Sequence, residues 1–283
     1  MQWQDRVAVL ATMHQKEQVI APILQEELGI KVIVPTNFNT DIFGTFTRDI
    51  ERTGNQIEAA RLKAEKILEQ TRESIAIASE GSFAPHPAFP YVTSNREIII
   101  LIDKENDLEI IGEEFSIDTN HNHLVVKNIE QALKFAKKIG FPEHGLIAMS
   151  EEFPKDSSKI FKGIITEKQL VEAINYVITK SSTGTVHLET DMRAMFNPTR
   201  MKNIAKATRN LVKKINSSCP KCHTPGFEII QRIEGLPCEL CYAPTSLTRA
   251  VIYECKRCGY SEEKLFPDGK EFAEPSLCIY CNP

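Results

Sequence analysis

All eight cysteines of this chain lie beyond residue 218, and each belongs to a Cys-x-x-Cys pair: Cys219/Cys222, Cys238/Cys241, Cys255/Cys258 and Cys278/Cys281. Two such knuckles about 15–20 residues apart supply four thiolates that close tetrahedrally on zinc, and both consecutive halves of the tail fit that spacing. The pattern predicts two structural zinc sites. With four sulfurs on each ion no coordination position stays open, so the expected role is to hold together a segment too small for a core of its own. Disulfides at every pair suit a reducing compartment poorly, and a thioredoxin-like redox site needs only one pair. The pairing stays open. Consecutive knuckles give two zinc ribbons, whereas first with third and second with fourth gives a crossed brace. Four similar knuckles also suggest a duplicated unit.

Zinc ribbons often bind nucleic acid, which makes the charge of the tail informative. From Ser217 to Pro283 there are seven basic residues (Lys221, Arg232, Arg249, Lys256, Arg257, Lys264, Lys270) and nine acidic ones (Glu228, Glu234, Glu239, Glu254, Glu262, Glu263, Asp268, Glu271, Glu274). A four-thiolate zinc site adds a formal charge of about −2. Phosphate contacts dominate nucleic-acid affinity, so an acidic module is better suited to stabilisation or protein contact. The whole chain carries a formal charge of −4 over 283 residues and gives no electrostatic case for an anionic membrane. The opening "MQWQDRVAVLAT" lacks the layout of a signal peptide, and no apolar run approaches the roughly 20 residues of a membrane span. The expectation is a cytoplasmic protein without a membrane partner. A homodimer is compatible with this composition, and the sequence does not decide it.

Before the tail, strands alternate with helices. "VAVLAT", "KEQVIAPILQEELG" and "IKVIVP" read as strand, helix and strand, a βαβ-like opening with Gly29 as helix stop. "TDIFGTFTRDIERTG" reads as a turn-rich loop, and "NQIEAARLKAEKILEQT" as an amphipathic helix with Ile57, Ala60, Ala64, Ile67 and Leu68 on one face. The run Ile75–Ala78 reads as a strand ending in Ser79-Glu80-Gly81 at its tip. "REIIILID" and "LEIIGEEFSI" pair around the turn "KEND"; "NIEQALKFAKKIG" and "TEKQLVEAINYVI" are helices; "GLIAMS" and "TGTVHLETD" are strands. A last helix runs from Asn197 to about Ile215, and "NSS" marks the expected domain boundary. The reading is an α/β domain over 1–215 with a mixed sheet, followed by a double zinc-ribbon domain over 216–283.

A carboxylate at a strand end, followed by Gly81 and Ser82, sits where open α/β sheets collect ligands. The succession "VLATMHQKEQV", "GIKVIVP", "TGNQIEAARLKA", "IAIASEGSF" resembles the inosine-triphosphate pyrophosphatase superfamily, which cuts abnormal-base nucleoside triphosphates to monophosphates. The resemblance covers about residues 7 to 83. It implies that Thr12 and Lys16 hold phosphates, that Glu58 and Glu80 bind catalytic magnesium or manganese, and that Lys63 lies near the polyphosphate. His14 stands where the family usually has Asn, and Ser79-Glu80 stands where many members have paired acids. Magnesium prefers carboxylate and phosphate oxygens, which suits this chemistry. Ser82 and His86, beside Glu80, are further candidates for substrate contact.

A second cluster points to an anion. In "HLETDMRAMFNPTRMKNIAKATRNLVKKI", Asn197-Pro198 is an N-cap followed by proline, which leaves Thr199 and Arg200 in a helical first turn whose free N–H groups favour phosphate. The superfamily also lays a late basic segment over its nucleotide, and Arg193 and Arg200 are the candidates for that role. Lys202, Lys206, Arg209 and Lys213 share one face of this helix, so the basic helix 200–214 is the place where nucleic acid could bind. His121 and His123 in "DTNHNHLVV" fall on one face if extended. Finally, "GTF", "ASEGSFAPHPAFP", "ETDMRA", "NPTRM", "GLPC" and the terminal Cys-Asn-Pro resemble an uncharacterised bacterial domain of unknown function across nearly the whole chain. Three readings stand: a magnesium-dependent pyrophosphatase-type hydrolase of nucleoside triphosphates, a non-catalytic nucleotide- or RNA-binding protein, and a zinc-dependent protein-interaction adaptor.

Overall fold

The computed structural model describes residues 3–40, 54–150 and 160–282. The turn-rich loop read over Thr40–Gly54, including "GTF", lies almost wholly outside them. The described chain falls into two compact units, residues 3–212 and 213–282, with the division inside the last long helix.

The first unit opens as β1 (Val7–Ala11), α1 (Glu17–Leu28) and β2 (Lys31–Ile33), with β1 and β2 parallel. Helix α2 (Gln56–Gln70) then leads into β3 (Ile75–Pro85), which pairs with β1, also in parallel. The sheet order is β2-β1-β3-β4-β5, completed by the antiparallel β4 (Thr93–Asp103) and β5 (Leu108–Ser116). The chain therefore leaves β1 toward one side through α1 and returns to its other side through α2. Right-handed crossovers in opposite directions place the two helices on opposite faces and make β1/β3 the topological switch point. The α2 face is packed with small residues: Ala60 and Ala64 of the helix meet Ala11, Ala76 and Ala78 of the strands, with Ile67, Ile100 and Ile102 completing the core. Small side chains on both partners bring helix and sheet close together.

The expected strand end at Ser79-Glu80 is moved by the structure. β3 runs on to Pro85, paired residue by residue with β4. The apolar run stops at Ala78 because pairing with β1 stops at Ala11↔Ala78, while the backbone pairing with β4 continues. Polar side chains begin where one neighbouring strand is lost, not where β3 ends.

Strand β6 (His123–Val126), α3 (Ile129–Ile139), β7 (Leu146–Met149), β8 (Ile160–Ile164), α4 (Glu167–Lys180) and β9 (Val186–Thr190) build a second, antiparallel sheet of order β6-β9-β7-β8. Its core joins Leu146, Ala148, Val186 and Leu188 of the strands to Phe135, Ala136, Leu170 and Ile174 of α3 and α4. Both helices begin where the sequence supplies caps: Asn128 accepts from the Gln131 N–H, and Thr166 and Gln169 form a reciprocal capping box. Helix α5 (Pro198–Asn216) returns to the first sheet. It lies so close to β5 that a side chain at Gly112 would place its Cβ 2.4 Å from the Leu211 nitrogen.

The second unit holds a three-stranded antiparallel sheet, β10 (Glu228–Glu234), β11 (Thr248–Glu254) and β12 (Ser261–Leu265), whose hairpins alternate with the cysteine knuckles. Among the described residues no helix is long and apolar enough to cross a membrane.

Candidate functional site

Strand alternation decides what the end of β1/β3 presents. Successive side chains of β3 point to opposite faces. Glu80 shares the face of Ala76 and Ala78 and meets α2, where Lys63 Nζ donates to Glu80 Oε1. Gln56 Nε2 of the same helix donates to the Glu80 carbonyl at 2.8 Å. Ser79 points the other way, and Lys16, the residue that opens α1, donates from Nζ to Ser79 Oγ at 2.8 Å. On that second face Arg200 of α5 donates to Glu97 of β4, Nε to Oε1 at 2.8 Å, and its Nη1 donates to the Met192 carbonyl at 2.5 Å. Gly81 is the gap that admits this pair, since a Cβ there would lie 2.4 Å from the Arg200 guanidinium. Asn95 donates to Glu97 at 3.0 Å and in turn accepts from Asn203 of α5 at 2.9 Å.

Lys16, Lys63, Arg200, Glu80 and Glu97 are all buried. Three cations thus face two carboxylates around the switch point. The lysine at its edge carries the strain: burial first, then repulsion from Arg200 and Lys63, lowers Lys16 to about 7, against the smaller pull of Glu80 and Glu97. Thr12, also buried, closes the turn between β1 and Lys16 by accepting from the His14 N–H at 3.4 Å.

The other predicted residues are placed elsewhere or given other work. Glu58 sits on the exposed first turn of α2, where its carboxylate accepts from the Asn55 N–H at 2.8 Å and completes a capping box; this placement diverts it from a metal site with Glu80. Ser82 donates to Gln56 Oε1 at 3.1 Å. His86 Nδ1 accepts from the Ala88 and Phe89 N–H groups and closes its own turn. Arg193 donates to Asp191, Nη2 to Oδ2 at 2.6 Å, and lies 4.6 Å from the Phe196 ring centre. Asn197 caps α5 as its sequence suggests, but by taking the Arg200 N–H at 2.9 Å it occupies a donor that the phosphate reading needed. His121 stacks on Phe83, and His123 on His187, so the two are separated. Sequence reasoning missed Glu97, Asn95 and Asn203. The one available signal was that Glu97 directly precedes the apolar run Ile98–Leu101, whereas Asn95 and Asn203 stand among other polar residues.

Among the described residues, the groups of three or more potential metal ligands within 4.8 Å of one another are two cysteine clusters: Cys219, Cys222, Cys255, Cys258, and Cys238, Cys241, Cys278, Cys281. First knuckle joins third and second joins fourth, so the consecutive, ribbon-like pairing gives way to the crossed one. All four knuckles share one local turn, in which the N–H of the residue after the second cysteine donates to the carbonyl of the first: His223 to Cys219, Tyr242 to Cys238, Gly259 to Cys255 and Asn282 to Cys278, at 2.8–2.9 Å. The Sγ–Sγ separations of 3.7 and 3.6 Å in one cluster and 3.9 and 3.6 Å in the other are far too long for disulfides. They match the edge, about 3.8 Å, of a tetrahedron whose metal–sulfur bonds are about 2.3 Å.

Four such thiols cannot all ionise without a cation. Side-chain and then backbone hydrogen bonding with Thr224 pushes Cys222 down to about 6. The Cys241 backbone N–H leads those that push Cys238 down to about 7. Against the pull of the Tyr260 N–H, desolvation and the neighbouring thiols raise Cys258 to about 12, and Cys281 is raised to about 12 first by Cys241 and then by desolvation. A bound cation would favour the thiolate form of all four sulfurs in each cluster, as thiolate metal sites do.

A family model described as a domain of unknown function, DUF6671, matches residues 63–283. It takes in Lys63, Glu80, Glu97, Arg200 and every cysteine, and leaves β1 and Lys16 outside. No curated protein matches the chain.

Proposed function

The chain belongs to the DUF6671 family, which brings no activity with it, and from the site itself we propose that the α/β unit binds a phosphorylated nucleotide at the β1/β3 switch point and hydrolyses it as a pyrophosphatase-type enzyme. The observation that carries the reading is Lys16: a buried lysine, lowered to about 7 by burial and two neighbouring cations, at the start of a helix beyond the carboxyl end of a strand. That is an expensive arrangement for a structural residue and a useful one for an anion site. A phosphate oxygen at Lys16 Nζ would restore its affinity for the proton, so ligand charge and lysine charge appear together. Thr12 and the first turn of α1 supply further donors, in line with anion binding at helix N-termini. Beyond Ala11 β1 no longer separates the two faces, and Glu80, oriented by Lys63 and near enough to act on the charge of Lys16, is the carboxylate for water activation.

Catalytic magnesium fares less well. Glu58 is spent on its capping box, and among the described residues no carboxylate cluster accompanies Glu80. Glu58 and Glu80 therefore do not form a shared magnesium site. The eight cysteines, by contrast, suit zinc at both clusters, which we assign as structural.

The test is phosphate and pyrophosphate release from a panel of standard and abnormal-base nucleoside triphosphates, with magnesium or manganese supplied, for wild type, Glu80→Gln and Lys16→Met. Turnover abolished in both variants is the expected result. Nucleotide binding without turnover, lost in Lys16→Met alone, would reduce the proposal to a binding protein. No interaction with any nucleotide would overturn it. The nucleic-acid reading at α5 has less support, since Lys206 and Arg209 already face Glu114 at 3.5 Å and Glu27 at 3.8 Å.

A further inference from the structure

The two cysteine clusters wear different surfaces. Around the first, the residues between and after the paired cysteines are polar or basic: Lys221, His223, Lys256 and Arg257. Around the second they are large and apolar. Leu240, Tyr242, Ile279 and Tyr280 occupy the corresponding positions, with Leu277 one residue before Cys278 and Phe272 packed edge-on against Tyr242 at 6.0 Å between ring centres. These six side chains are 43–70% exposed.

They are also tied to a single site. Five of the six lie within one residue of Cys241 or two of Cys278 and Cys281, whose sulfurs fall in a single cluster less than 4.8 Å across. The sixth is fixed to Tyr242. An exposed patch of this kind on a small unit marks an interaction surface, and knuckles clamped by metal present it rigidly, at little entropic cost to binding.

The rim of the patch decides what fits. Glu239 lies inside the second knuckle, and its N–H is held by the Ala273 carbonyl at 3.0 Å, which brings Glu271 and Glu274 alongside. The one basic residue of the neighbouring loop, Lys270, is paired to Glu274 at 3.3 Å. The four thiolates beneath add about two further negative charges once a divalent ion is bound. An aromatic and aliphatic centre with an acidic border disfavours nucleic acid and anionic lipid, both of which need cations here. It complements a helix with one apolar and one basic face.

We infer that the surface of the second cysteine cluster is a docking site for a basic amphipathic helix of a partner protein. The experiment uses the full chain with metal bound and, as probe, a fluorescein-labelled amphipathic peptide built only of leucine and lysine, read by anisotropy against its leucine–glutamate counterpart. The lysine peptide binds, and Leu240→Glu and Ile279→Glu each weaken it by roughly tenfold or more, with zinc stoichiometry unchanged. Both side chains are exposed, so the metal content shows whether a variant has kept its fold; Leu240→Ala and Ile279→Ala serve as milder replacements should the charge disturb it. Equal binding of the glutamate peptide, or undiminished binding by variants that keep their metal, overturns the proposal. So does a dimer of the wild type that the same variants dissociate, or binding to phosphatidylcholine/phosphatidylserine vesicles in place of the peptide.

Discussion

The charge layer at the β1/β3 switch point and the cysteine clusters both concentrate groups that repel one another, and they resolve the repulsion in opposite ways. Around the switch point, Lys16, Lys63 and Arg200 are offset by Glu80 and Glu97, which the fold brings from distant parts of the chain. The layer is nearly self-neutralising, with Lys16 as the cation left over. Each cysteine cluster gathers four thiols and no cationic ligand, so a bound metal ion would supply the counter-charge. A site whose charges come from the chain is stabilised by folding, whereas a site whose counter-charge comes from solution makes folding depend on that solution.

Metal removal gives the largest expected effect. Stripping the protein with a strong chelator should unfold residues 213–282 and leave the α/β unit folded, at a cost on the order of 10 kcal/mol or more. Hydrogen exchange read separately over the two units checks this, and protection of the second unit that survived complete metal loss would break the contrast. Next comes the buried pair. Arg200→Met leaves the Glu97 carboxylate uncompensated and should cost about 3–5 kcal/mol by denaturant melting, while Arg200→Met with Glu97→Leu should recover much of it. A double variant no better than the single one would show that the Met192 carbonyl, not the charge, dominates.

Lys16 should behave in the opposite sense. Its folded affinity for the proton, about 7, lies below the ordinary lysine value of 10.5. Between these values the unfolded chain holds more protons, so stability rises with pH across that window, and the penalty is fully present below it. Lys16→Met should therefore stabilise the protein at pH 6 by roughly 1–4 kcal/mol and flatten the pH dependence, while abolishing nucleotide binding. A variant less stable at pH 6 would make Lys16 a structural residue. The smallest effect belongs to Glu58. Glu58→Ala should cost about 1 kcal/mol through its capping box, with turnover unchanged; loss of turnover at intact stability would return it to the site.

The helices and most strands of the α/β unit were legible because their patterns are local. Asn55, Asn128 and Thr166 announce helix starts, and the apolar runs of β1, β3 and β4 announce buried strands. The three strands of the cysteine unit were not. β12, Ser261–Leu265, is exposed along its whole length and carries no alternation to read, because its pairing depends on the hairpins and knuckles around it. The charge layer was half legible: the sequence pointed to Lys16, Lys63, Glu80 and Arg200, but not to Glu97, which reads as one acid before an apolar strand.

What the sequence by itself determined is chemistry set by near neighbours: eight thiols in equivalent two-residue loops, a capped helix at each marked start, and an apolar strand that turns polar at Ser79. The partners of those groups were decided by tertiary structure. Four equivalent knuckles have no sequence-encoded preference for one another, and only the folded chain sets Cys219 beside Cys258 and Cys238 beside Cys281. Likewise Ser79 and Glu80 are adjacent in the chain, but the pleat of β3 sends one to Lys16 and the other to Lys63 on opposite faces of the sheet. Spacing along the chain specifies which groups are available, and the path of the backbone specifies which of them meet.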